Sequence, residues 1–163
     1  MPSHPQDPPV GYSYFGDKRA LWDLVLSEQL ERLAVSVKLS DATLDDPGEF
    51  AGATFDYHAA HPELARLLQW EGLQGGPPAD AGRTEHYRAK VERFRQAQQQ
   101  GILTRDLDPA HLVFALIALA AWWQTVPQLA EMITGSPADD EQEHAARRRF
   151  VVTAARRLAA PRS

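Results

Sequence analysis

Twelve consecutive residues, LVFALIALAAWW from Leu112 to Trp123, carry no polar side chain. A helix on the surface of a globular protein shows one apolar stripe, whereas this segment is apolar on every side, so it has to be covered all round. It is too short to cross a bilayer, which takes about 20 residues, and reads as a buried helix. One of its sides can face the rest of its own chain. The other needs a second partner, because the final helix presents too narrow an apolar face to wrap it. Two solutions remain: a helix at the centre of a monomeric bundle, or a two-fold interface built from the last two helices of each subunit. The second is the expectation carried forward. The run itself does not say which face is which.

The remaining segments show helical periodicity and no alternating strand pattern, so the fold class expected is all-α. Pro2, Pro5, Pro8 and Pro9 forbid a stable helix in residues 1–9, predicted to be a disordered start. A helix is expected from Asp17, as N-cap, with Trp22, Leu26, Leu30, Leu33 and Val37 on its inner stripe. It should end in the acidic, turn-rich SDATLDDPG. A second helix is expected roughly from Gly48 to Ala60, and a third opens with Pro62 at its first position. GLQGGPPADAG is the clearest loop. A fourth helix over 83–100 carries Tyr87, Val91 and Phe94 inward and stops at Gly101. Asp108 and Pro109 start the apolar helix, which should break near Pro127. The last helix is predicted to start with Ser136 as cap, Pro137 at the first position and Asp139 as the capping-box acid.

The 163 residues suffice for one domain with a real core. Seventeen basic residues against 22 acidic ones give a net charge of −5 and no global reason to bind nucleic acid, so any such contact must be local. Residues 41–80 hold eight Asp or Glu against the single Arg66. The absence of cysteine removes disulfides, thiolate zinc sites and cysteine nucleophiles together. With no signal-peptide layout and no membrane-length run, a cytoplasmic protein with no membrane partner is expected. Enzyme chemistry finds little support. Glu141 and His144 make one Glu-x-x-His, half of what a di-iron bundle needs from such pairs, and His58 and His61 flank a break at Pro62. Neither metal, cofactor nor catalytic residue is expected, and the basic clusters at 147–149 and 156–157 read as a solvated face.

The stretch GYSYFGDKRALWDLVL resembles the signature of TetR-family repressors, in which a helix-turn-helix ends in Tyr-x-(His/Tyr)-Phe and a lysine opens the helix leading to the effector domain. Tyr12, Tyr14 and Phe15 match the first part, Gly16 and Asp17 the turn, Lys18 the lysine, and Leu21 a packed apolar position. HPELARLLQWE and GILTRDLDPAHLVFALIALAAWW are similar to effector domains of that family, and the resemblance covers nearly all of 10–160. It implies a ligand-responsive regulator, a homodimer through the last two helices. The division implied is a start at 1–9, the end of a shortened helix-turn-helix at 10–17, and a ligand-binding and dimerisation domain at 18–163. Tyr12, Tyr14 and Lys18 offer donors for backbone phosphates. Two helices and the front of the recognition helix should precede Tyr12, where MPSHPQDPPVG cannot supply them. Specific operator binding is therefore not expected of this sequence as it stands, and DNA is a partner only when those helices are present. A start assigned too late, a shortened form and a natural loss all fit; an incomplete N-terminus is the reading taken, against a ligand-binding dimeric module that never meets DNA.

The resemblance also implies a small-molecule effector, hydrophobic or aromatic, held among the middle helices by Phe55, His58, Leu68, Trp70, Tyr87, Val91, Phe94, Phe114 and Trp122. The plainer reading is that these aromatics fill the core. Leu116, Leu119, Trp123, Phe150, Val151, Ala154 and Leu158 are expected at the dimer interface.

Overall fold

The computed structural model describes residues 11–76 and 81–161, without the side chains of 11–17, 41 and 81. The proline-rich start, residues 1–9, and the middle of the glycine-rich loop, 77–80, lie outside the described residues. Eight helices and no strand are found among those described: α1 Gly11–Ser36, α2 Asp41–Asp45, α3 Pro47–Ala60, α4 Pro62–Gln74, α5 Ala81–Gln99, α6 Pro109–Thr125, α7 Pro127–Thr134 and α8 Glu141–Ala159.

Most of the starts follow from local chemistry. Pro47, Pro62, Pro109 and Pro127 each open a helix, where a missing N–H costs nothing. The Asp108 carboxylate accepts from the N–H groups of Ala110 and His111, at 2.8 and 3.2 Å. Gly101, at φ 76°, takes the left-handed turn that ends α5, and Ile102 N–H donates back to the Ala97 carbonyl at 2.9 Å.

Three expectations fail here. Helix α1 runs unbroken through Gly16 and Asp17 rather than starting at Asp17, so no turn separates residues 11–17 from the remainder of the helix. A single glycine costs a helix interior only about 1 kcal/mol, too little to stop a helix of this length. The acidic stretch after α1 holds the short helix α2, closed by a reciprocal Ser40–Thr43 box. The cap of α8 is Asp140, not Ser136: the Asp140 carboxylate accepts from Glu143 N–H at 2.8 Å, while the Ser136 carbonyl is held by Arg147 at 2.9 Å in the preceding turn.

Helix α3 is the hub. Phe50, Ala51 and Phe55 are buried with Phe94 of α5, Leu112 and Leu116 of α6, and Val151 and Ala155 of α8 in one core. Gly52 lets α8 come close, since a Cβ there would stand 2.9 Å from Val152 Cγ2. Ion pairs fasten this crossing at both ends: Arg148 Nε lies 2.8 Å from Asp56, and Arg156 binds Asp46 through Nε at 2.9 Å and Nη2 at 2.6 Å. The arginines read as a solvated face are therefore divided. Arg148 and Arg156 clamp α8 to α3, and Arg147, 4% exposed, bonds Glu143, Thr134 and the Ser136 carbonyl; Arg149 and Arg157 remain exposed. A smaller cluster of Leu26, Leu30, Leu64 and Leu67 joins α1 to α4, with Trp22 of α1 against Trp70 at 4.2 Å.

Among the described residues no single helix is long and apolar enough to cross a membrane; α6 and α7 together pass by length and composition but bend by 88° between them.

Candidate functional site

Helices α1, α3 and α5 do not close on one another. Between them lies a cavity of about 310 Å³, with Ile117 of α6 at its base. Helix α1 contributes an apolar strip of Leu30, Leu33, Ala34 and Val37, at helical spacing, flanked by Ser27 and Glu31. Helix α3 contributes Phe50 and Thr54, whose hydroxyl is spent on the Phe50 carbonyl at 2.8 Å. Helix α5 brings Gly82, Arg83, His86, Tyr87 and Lys90. Arg83 is joined to Glu71 of α4 by paired bonds of 2.7 and 3.1 Å, which fixes the near end of α5.

The polar groups of this wall are only partly withdrawn from water: Lys90 is half-buried, while His86 and Tyr87 keep an exposed edge. Burial pushes the Tyr87 phenol up and the Lys90 ammonium down, and it pushes His86 down with some help from the Lys90 charge. The Lys90 ammonium stands 5.2 Å from the Phe50 ring centroid and 5.7 Å from that of Tyr87. Both distances are within reach of cation–π attraction. The arrangement suits a small molecule with an apolar body and a polar end.

On the other side of the core, α6 and α8 leave an apolar surface uncovered. Phe114 is 75% and Trp122 57% exposed on α6, with Ala118 and Ala121 half-buried on the same stripe. Phe150 is 54% exposed on α8, followed one and two turns later by Ala154 and Leu158. Trp123 bridges the two stripes, edge-on to Phe150 at 6.0 Å and under the Arg147 guanidinium at 5.2 Å. Aromatic side chains this large and this exposed, side by side on two helices, mark an interaction surface.

Residues 46–157 match the family model of the tetracyclin repressor-like C-terminal domain. This chain belongs to the TetR family. It is 40% identical over 127 residues to the HTH-type transcriptional repressor SCO4008 of Streptomyces coelicolor, an alignment taking in 76% of this chain and 65% of that protein. The chain thus matches just under two thirds of the length of this relative. The fold is similar to the crystal structure of SCO4942, a proposed transcriptional regulator from Streptomyces coelicolor, with a TM-score of 0.72 and 27% identity over 91% of this chain and 77% of that one.

Within this TetR-family fold the predicted site residues part company. Tyr87 lines the cavity. Leu68, Trp70 and Val91 line instead, with Tyr87 again, an open groove along α1, α4 and α5. Phe55, His58 and Phe94 are packed inside the protein and reach neither space. Phe114 and Trp122 line neither space and stand exposed on the uncovered face. At the expected interface, Phe150, Leu158, Ala154 and Trp123 lie on or beside that face, and Leu119 is half-buried against the core. Leu116 and Val151, each 0% exposed, belong to the chain's own interior instead. The side chains of Tyr12 and Tyr14 lie outside the described residues; Lys18 is exposed on α1, and so is Leu21, where packing was expected.

Sequence reasoning missed the cavity's own residues, above all Phe50, His86 and Lys90. A signal for Lys90 was present, since it stands one turn beyond Tyr87 on the same helix face, among arginines that mask it. The histidines singled out as metal candidates have other neighbours. His61 Nδ1 pairs with Glu63 at 3.1 Å, and His144 lies against the Phe55 ring at 5.1 Å.

Proposed function

We propose that this chain is the effector-binding and dimerising part of a TetR-type transcriptional regulator, acting as a repressor in the cytoplasm. The observation that carries the reading is the pairing of a partly apolar cavity, walled by α1, with an uncovered aromatic face on α6 and α8. Kinship with an HTH-type repressor supports DNA reading by a helix-turn-helix of the whole protein, and in this reading Lys18, Tyr12 and Tyr14 donate to backbone phosphates beside it. The α6–α8 face joins two copies about a two-fold axis. A small apolar or aromatic effector enters the cavity against Leu30, Ala34 and Val37. Since α1 is one whole wall, a molecule that fits only one placement of α1 selects that placement and shifts the spacing of the two reading heads.

The test is selection of genomic fragments by the full gene product with and without small molecules that raise its melting temperature. One enriched site, released by such a molecule, is expected. Ala34→Trp fills the cavity and should leave the site bound while abolishing the release. No enriched site, or release that persists in A34W, contradicts the reading.

A further inference from the structure

The cavity wall is charged unevenly. Among the described residues its basic members are Arg83 and Lys90, and its acidic member is Glu31. Arg83 is taken up by Glu71. Glu31, exposed on α1, forms no ion pair with Lys90, and Lys90 has no hydrogen-bond acceptor or carboxylate partner among the described residues. What meets its ammonium is the faces of two aromatic rings. A half-buried ammonium has given up part of its hydration, which an anion beside it would replace. Two rings supply part of that compensation and none of the three acceptors the ammonium can use. Lys90 is part of the cavity lining.

Resting on the reading of this cavity as the effector site, we infer that it selects an apolar molecule carrying an acidic group, whose anionic head binds Lys90 Nζ while its body lies between Phe50, Leu30 and Ile117. The depressed proton affinity of Lys90 fits this, because burial is its sole cause and no carboxylate offsets it. An anion at that point restores the charge, whereas a cationic ligand would meet Lys90 and gain only Glu31.

The probes for the test are anilinonaphthalene sulfonate and phenylnaphthylamine, which share their aromatic body and differ by one sulfonate. Each is titrated into the full chain while its fluorescence is followed. Lys90→Met should weaken the sulfonate probe by roughly tenfold or more, the range for a charge-assisted hydrogen bond, and leave the neutral probe within about twofold. Lys90→Arg, which keeps the charge, should retain the sulfonate probe. Equal affinity of the sulfonate probe for wild type and K90M overturns the inference, as does an equal loss of both probes in K90M with K90R unaffected in fold. Ala34→Trp should remove both probes. If both bind A34W as they bind wild type, they sit outside the cavity and the underlying effector-site reading fails, a result distinct from a failure confined to K90M.

Discussion

His58 is 1% exposed, its Nδ1 has no hydrogen-bond partner among the described residues, and burial, with the charge of His61 adding to it, pushes its pKa down to about 4. In the unfolded chain the ring takes up a proton near its ordinary value of 6.5. Between these two values the unfolded form binds more protons than the folded one, so stability falls as pH drops from 6.5 toward 4, by up to about 3 kcal/mol. His58→Leu should flatten this slope, measured by urea denaturation at pH 7 and pH 4.5; an unchanged slope in H58L contradicts the assignment. Asp46 acts later. Its bonds with Arg156 hold its carboxyl below 3.8, so its contribution is present above that pH and lost below it, and exposure of the pair keeps it small. Arg147 is a different case, because it is nearly buried and serves three partners. Arg147→Ala leaves Glu143 and Thr134 without it and uncovers Trp123, at a cost of about 3 kcal/mol in thermal or chemical unfolding.

At the scale of the helices, the α3–α8 crossing is tight at Gly52, where an added Cβ would meet Val152. Gly52→Val should destabilise by roughly 1–3 kcal/mol, since its branches meet Val152 and Arg148 in a packed seam. Gly72→Ala, in α4 with nothing within 4 Å, should instead stabilise by roughly 0.5–1 kcal/mol. Calorimetry of the two variants checks both signs. The same contrast explains what could be read from the residues alone. Helix starts at Pro62 and Pro109, the stop at Gly101 and the break at Pro127 depend on one or two residues and were legible. The phase of α6 was not, because a helix apolar on all sides has no periodicity to reveal which residues turn inward. Only the packing of α3, α5 and α8 decides that Leu112, Val113, Leu116 and Ala120 are inside and Phe114 and Trp122 outside. Nor could the cavity be read, since it is what three helices leave unfilled. Its lysine, one turn beyond Tyr87, is masked in sequence by the arginines of the same helix.

The whole molecule is organised about one asymmetry. Its core is satisfied on the α3 side of α6 and open on the opposite side, where Phe114, Trp122 and Phe150 meet solvent in a single copy of the chain. The proposed coupling of two copies runs through this face, continuous from α6 to α8 through the Trp123–Phe150 contact. Leu129, Met132 and Ile133 of α7, beyond the bend, are exposed as well. The most direct measurement is sedimentation equilibrium of the wild-type chain beside a Trp122→Glu, Phe150→Glu double variant at micromolar concentration. Twice the 18.1 kDa chain mass is expected for wild type and a single chain mass, with helical content retained, for the variant; a monomeric wild type, or a dimer untouched by both charges, contradicts the two-fold interface.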